Sequence, residues 1–343
     1  MRVAIVTDAW KPQVNGVVTT LGKTVDNLRI MGHQVVVINP ESFKTIPCPS
    51  YPSIRLALMP RRKLGQLLDE FVPEAIHIST EGPLGLAARR YCLRHKLRFT
   101  TAYHTQFPEY LRLRAPIPLS LGYRFMRWFH GPAERTMVPT QTQIDKLAGW
   151  GMKHLALWSR GVDISLFTPN KPKPLESNGS IAMYMGRVAV EKNIEAFLNL
   201  EISATKYVVG DGPDMAVLQR KYPEVKFVGF KFGEELASYL AAADVFVFPS
   251  KTDTFGLVLL EAMACGVPVA AYPVTGPLDV VTHGVTGYLC EDLQRAVNEA
   301  IKLDGKHCRE YAESQSWMTS TEQFANHLVF NQRDEQAELE VVG

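Results

Sequence analysis

One short cycle at the amino terminus limits the possible folds more than any other feature of the sequence. Residues 3–6 are an apolar run ending at Thr7 and Asp8, residues 17–31 carry helical apolar spacing closed by Gly32, and residues 33–39 again read as a strand. Strand, helix and strand in that order make a βαβ unit, whose two strands lie parallel because the helix carries the chain back across the sheet. Strand-like runs at 75–78, 99–103 and 136–138 extend the same sheet. A polar, proline-rich stretch at 168–179 then reads as a linker. After it the cycle restarts, with strands at 181–185, 206–209, 226–228, 245–248 and 267–271 and helices at 194–200, 214–221, 234–242 and 257–264. The expectation is an α/β chain of two doubly wound domains.

The 343 residues are enough for two such lobes, and 46% hydrophobic with 21% charged residues excludes a disordered or fibrous chain. The net charge of +2 hides an asymmetry: residues 1–168 hold 22 Lys/Arg against 11 Asp/Glu, and the remainder 15 against 24. A basic first half wants an anionic partner, be it a phosphorylated donor, a membrane surface or nucleic acid. Five cysteines without a Cys-x-x-Cys pair argue against disulfide and zinc frameworks. The first apolar run is too short for a secretory signal, and no run approaches the roughly 18 apolar residues of a spanning helix. The expected setting is the cytoplasm, with any membrane contact peripheral.

The densest motif follows the strand at 245–248 and runs Phe248-Pro-Ser-Lys-Thr-Asp253-Thr-Phe255-Gly256-Leu257-Val258-Leu-Leu-Glu261. Gly256 lets backbone approach a ligand, and the free N–H groups that open the next helix, with a dipole of about half a charge, favour a diphosphate. A second motif, Gly186-Arg187-Val-Ala-Val-Glu191-Lys192, also joins a strand to a helix, and its two cations suit a leaving group that gains negative charge as its bond breaks. A third, Asp8-Ala-Trp-Lys-Pro-Gln-Val-Asn15-Gly16, directly follows the first strand, where α/β sheets bind ligands. It lacks the Gly-x-Gly-x-x-Gly spacing of a dinucleotide dehydrogenase. A fourth, Tyr103-His104-Thr105-Gln106-Phe107-Pro108-Glu109, sets His104 just past a strand end. Each taken singly also reads as a capped turn, a solvated acid, a surface cation or a structural histidine.

Together these segments resemble glycosyltransferase family 4. Asp253 and Glu261 are similar to its Glu-x7-Glu pair with the first acid one methylene shorter, residues 186–192 to its Gly-Arg-x4-Lys, and residues 104–107 to its His-Thr-x-Phe. The resemblance reaches Ser316-Trp317 and the helical pattern at 321–329. It implies a GT-B fold of two Rossmann-like domains facing across a cleft: an acceptor domain at 1–168, a nucleotide-sugar domain at 169–312, a helix at 313–330 crossing back, and a loose tail at 331–343. It also implies retaining hexosyl transfer by front-face displacement, the departing phosphate taking the acceptor's proton. His104, Arg187, Lys192, Asp253 and Glu261 would then be the catalytic set. Arg187 and Lys192 would neutralise the diphosphate, with Asn15, Gly16 and Gly186 beside it. The amides of Phe255, Gly256, Leu257 and Val258 would hold phosphate and sugar, Glu261 the ribose, Asp253 the transferred sugar, and His104 the sugar or reaction centre. The nucleotide sugar is a co-substrate, and no metal or other cofactor is expected, since the cation pair takes that role and no Asp-x-Asp is present.

The acceptor is the open part of this reading. Residues 86–98 and 111–135 mix Arg89, Arg90, Arg94, Arg112, Arg114, Arg124 and Arg127 with Tyr123, Phe125, Trp128 and Phe129. Basic plus aromatic suits either an anionic membrane surface, with a lipid acceptor such as a diacylglycerol, or an ordinary basic helix packed by its rings. Glu109, Arg124, Arg127 and Trp128 are the expected acceptor or membrane residues, and a glycan acceptor stays open. Family members with such motifs use UDP-sugars or GDP-mannose; a UDP-sugar donor is the favoured expectation, and a GDP-mannose-dependent alpha-mannosyltransferase the alternative. An inactive nucleotide-sugar binder and a GT-B epimerase are the rival readings. A nucleic-acid binder would have no use for the donor motifs.

Overall fold

The computed structural model describes residues 1–48, 51–175 and 179–331; the expected tail beyond 331 and residues 176–178 of the expected linker lie outside the described residues. Fourteen strands are formed among these residues: β1 (Arg2–Val6), β2 (Gln34–Ile38), β3 (Thr45–Cys48), β4 (Tyr51–Ala57), β5 (Ala75–Ile78), β6 (Thr100–Ala102), β7 (Arg135–Val138), β8 (Leu155–Leu157), β9 (Ile181–Met185), β10 (Thr205–Val209), β11 (Lys226–Gly229), β12 (Val245–Phe248), β13 (Val269–Ala271) and β14 (Gly287–Leu289). They build two six-stranded sheets, β2-β1-β5-β6-β7-β8 and β11-β10-β9-β12-β13-β14, and a separate antiparallel hairpin, β3-β4. Every pairing within the two large sheets is parallel.

Central strands β1, β5, β9 and β12 are almost wholly buried, as expected where helices cover both faces of a parallel sheet. The second sheet has the dinucleotide-fold order, with strand order reversing between β9 and β12; in the first the reversal falls between β1 and β5. Loops leaving the carboxyl ends of strands at such a switch point form a crevice, because neighbouring connections depart to opposite faces there. The motifs read from the sequence sit on these loops: residues 7–15 after β1, 186–192 after β9 and 249–256 after β12. The two lobes also touch: Thr254 Oγ1 donates to the His104 carbonyl at 2.8 Å, and Thr140 Oγ1 donates to the Thr254 carbonyl at 3.2 Å.

The last helix, Trp317–His327, lies on the first lobe. Asn27 donates to Thr321 from the helix Gly16–Ile30, Phe324 packs edge-on against His77 and at a tilt against Trp158, and Asn331 is bonded to both backbone groups of Arg98. Gly161 is required here, since a Cβ at that position would lie 2.3 Å from the Trp317 nitrogen.

Candidate active site

On the second lobe, the loops after β9 and β12 are laced together before any ligand enters. Thr252 Oγ1 donates to the Glu191 carbonyl at 3.1 Å, and Asn193, in the left-handed region, donates to the Pro249 carbonyl at 3.0 Å. This lacing brings Lys192 Nζ to 2.5 Å from Asp253 Oδ1 in a largely buried ion pair. Burial works against the Lys192 ammonium, but the adjacent Asp253 carboxylate outweighs it and holds the lysine pKa above its ordinary value. Arg187 stands at the end of the same strand, next to Gly186, and Tyr184 donates to the Arg187 carbonyl at 2.6 Å.

Gly256 opens the helix Leu257–Ala264 at φ +85°, a conformation only glycine takes without strain, and a Cβ there would press on Phe248 and Leu259 at 3.1 Å. The N-cap residue Gly256 has no side chain to cap this helix, so its first N–H groups stay available beside the half-buried Leu257 and Val258. Phe255 is buried in the hydrophobic core of the second lobe. One turn on, the Glu261 carboxylate makes no hydrogen bond or ion pair with the described residues, and burial pushes its pKa up to about 7. A half-buried acid without a partner among the described residues has acceptor capacity to spare, and ribose hydroxyls are suitable donors.

The first lobe faces this helix directly: a Cβ on Gly16 would sit 3.4 Å from Leu257 Cδ1. Asn15 spends its side chain as a helix cap, Oδ1 accepting from the Val17 and Val18 amides at 3.0 Å. His104 follows β6, its Nε2 covered and without a hydrogen-bond partner among the described residues. Burial first, then the charges of Arg160, His77 and His130, hold its pKa well below the ordinary value.

The expected acceptor and membrane residues divide. Glu109 is committed internally, pairing with Lys146 at 2.6 Å and accepting from Tyr123 at 2.6 Å. Arg127 donates to the Trp150 carbonyl at 2.6 Å, and Arg89 is buried, donating to the carbonyls of Phe129 and Trp128 that end the helix Leu119–His130. Arg124 and Trp128 are exposed on one face of that helix, with the Trp128 ring stacked on Arg89 at 4.1 Å. Leu86, Arg90, Leu93 and Arg94, spaced along one face of the helix Pro83–Arg94, are exposed as well. Nothing is described for the Arg114 side chain.

Comparison with known proteins decides what these paired crevices belong to. Residues 14–166 match the family model for Glycosyltransferase Family 4, and residues 179–303 that for Glycosyl transferases group 1. A GDP-mannose-dependent alpha-mannosyltransferase of Corynebacterium glutamicum is 30% identical over 90% of this chain and 82% of its own length. The chain belongs to glycosyltransferase family 4. This hexosyltransferase is also 26% identical to an alpha-monoglucosyldiacylglycerol synthase of Streptococcus pneumoniae, over 88% of its own chain and 78% of the relative's. Its fold is GT-B: Anabaena HepE, solved with UDP and glucose, superposes with a TM-score of 0.70 at 18% identity, over 94% of this chain and 98% of the other.

The glycosyltransferase also braces these loops through contacts that local sequence patterns do not reveal. Asp8 is buried after β1, accepts from Thr80 Oγ1 at 2.8 Å and from the Leu84 amide at 2.9 Å, and so ties the first loop to the helix at Pro83. Gln106 donates to the Asp253 carbonyl at 3.0 Å across the cleft, and Asp279 accepts from the Thr142 amide at 3.0 Å. Their partners lie 76, 147 and 137 positions away, which no local pattern reveals. Among the described residues there is no cluster of three or more His, Cys, Asp or Glu side chains arranged to hold a metal ion.

Proposed function

We propose that this hexosyltransferase retains the anomeric configuration of a nucleoside diphosphate sugar, a UDP-sugar in the first instance, as it transfers the hexose to a lipid at an anionic membrane surface. The observation that carries the donor half is the company around the helix start: a largely buried ion pair at Lys192 and Asp253 on one side and, on the other, Glu261, which has no partner among the described residues. A diphosphate supplies the anion that the helix start and the two cations favour, and a ribose supplies the hydroxyl donors that Glu261 needs. With the phosphate in place, Lys192 has a stronger anionic partner than Asp253, which frees that carboxylate to accept from a sugar hydroxyl. The cations stabilise the departing diphosphate more than the intact donor, so they lower the barrier without a metal ion.

The acceptor half rests on the exposed faces of two neighbouring helices. Trp128 is 52% exposed beside Arg124, and Leu86 and Leu93 are exposed beside Arg90 and Arg94. Apolar and aromatic groups interleaved with arginines suit the headgroup level of an anionic bilayer. A lipid acceptor fits such a surface, and the similarity to an alpha-monoglucosyldiacylglycerol synthase supports it. GDP-mannose is the second reading for the donor, favoured by the 30% identity to a GDP-mannose-dependent enzyme.

Calorimetric titration with UDP-glucose, UDP-galactose, UDP-glucuronate and GDP-mannose tests the donor site, and co-sedimentation with phosphatidylglycerol vesicles tests the surface. One donor binding well above the rest, and sedimentation that weakens with salt, are expected. Binding of none of the four overturns the donor site, and failure to sediment at moderate salt overturns the lipid acceptor.

A further inference from the structure

The half of the His104 ring away from the covered Nε2 has a neighbour that fixes its chemistry. Arg160 is 4% exposed, and its guanidinium stacks on the Trp158 ring at 4.3 Å. Its Nη1 donates to the carbonyls of Trp158 at 2.5 Å and Ser159 at 3.0 Å, and its Nη2 lies 3.4 Å from His104 Nδ1. The backbone that carries it is clamped by the last helix, since Ser320 Oγ donates to the Ser159 carbonyl at 2.7 Å and the Ser159 amide donates to Gln323 Oε1 at 3.0 Å. No carboxylate pairs with Arg160 among the described residues. Burial lowers its pKa to about 9, which still leaves a cation at neutral pH.

A guanidinium has donors only, so in this contact the Nδ1 of His104 must accept. A neutral imidazole that accepts at Nδ1 carries its proton on Nε2. The groups of variable charge around the ring are Arg160, His77 and His130, and burial together with the Arg160 charge disfavours a second proton.

We propose that Arg160 is a positioning residue: it holds His104 as the neutral Nε2–H tautomer and so aims a fixed hydrogen-bond donor at a hydroxyl of the transferred sugar. This rests on the donor-site reading above and adds which atom of His104 acts and in which protonation state. It makes His104 a donor that orients the sugar, and the acceptor's proton passes to the departing phosphate. Arg160 serves at a distance from the reacting atoms, so its loss acts through the ring, as in other sites where a buried partner selects an imidazole tautomer.

The test is a long-range 1H–15N correlation spectrum of histidine-labelled protein without donor. The nine histidines give a tractable spectrum, and the His104 signals are those lost in His104→Gln. The expected result is the Nε2–H tautomer, neutral at neutral and mildly acidic pH, with a mixed or inverted tautomer in Arg160→Gln. With a turning-over donor, kcat falls on the order of tenfold in Arg160→Gln, KM for the acceptor is unchanged, and Arg160→Lys recovers part of the loss. A wild-type ring protonated on Nδ1, or a ring unchanged in a folded Arg160→Gln, overturns the proposal. Should the variant not fold, the wild-type tautomer alone decides it. Because that spectrum needs no donor, a correct tautomer in a protein that turns over no nucleotide sugar would sink the donor-site reading and leave the positioning claim standing.

Discussion

The two lobes carry the same kind of crevice but fill it differently. In the second, the groups proposed to face the donor come from two contiguous segments, 186–192 and 253–261, each between a strand of the sheet and a helix or within that helix's first turns. In the first, Asp8, His104, Gln106 and Arg160 come from three separate loops, after β1, β6 and β8, and each has a partner far along the chain. A nucleotide is gripped through backbone amides and a few charges that one turn can supply. A reacting sugar and its acceptor need groups oriented from several directions, and only the assembled fold provides that. The comparison predicts that second-lobe variants change donor chemistry alone, whereas first-lobe variants separate chemistry from surface attachment.

The largest effect expected is at Lys192. Lys192→Ala should lower kcat by about 10²–10³ in a nucleotide-release assay while vesicle binding stays at the wild-type level. A loss of less than tenfold would break the contrast, because the charge neutralisation would then lie elsewhere. Next comes Arg124→Glu, which reverses a charge on the exposed face. At about 1 kcal/mol per charge near an anionic surface, it should weaken vesicle partitioning by on the order of tens of fold without affecting donor binding. Equal loss on neutral and anionic vesicles would assign Arg124 a role other than electrostatic attraction.

The smaller effect follows from Glu261. Its carboxylate, raised by burial to about 7, accepts ribose hydroxyls best when ionised, so nucleotide-sugar affinity should rise roughly tenfold from pH 6 to pH 8 and be flat in Glu261→Gln. Stability should move oppositely. The folded protein keeps a proton that the unfolded chain gives up above its ordinary pKa of 4.5, so stability falls as pH rises from there toward 7. The slope is at most about 1.4 kcal/mol per pH unit, and denaturant titrations of Glu261→Gln should lack this component.

Much of this was legible in the sequence wherever burial imposed a pattern. Strands β5, β9 and β12 fall where their continuous apolar runs place them, and the helix Leu257–Ala264 begins at the glycine that marks it. What was missed lies at edges and in pairings. Strands β8 and β14 are three-residue edge strands with too little apolar run to register, and β3 and β4 carry prolines that argue against strands read locally. Within the site, the basic-aromatic stretch leaves a membrane face and a basic helix packed by its rings as alternatives. Arg89 is instead a buried donor to a helix end, which its sequence could not separate from exposed Arg90 beside it. Asn15 fits the capping geometry that its spacing before a helix also allowed.

Transfer itself is the most direct test of the central claim. The protein, with and without phosphatidylglycerol vesicles containing diacylglycerol, would be given each of the four nucleotide sugars in EDTA, with release of UDP or GDP followed and the anomeric configuration of any glycolipid read by NMR. The account predicts release from one donor, dependence on the lipid, no loss in EDTA, and the donor's own anomeric configuration in the product. Inverted product, or activity that appears only when a divalent metal is restored, would contradict it.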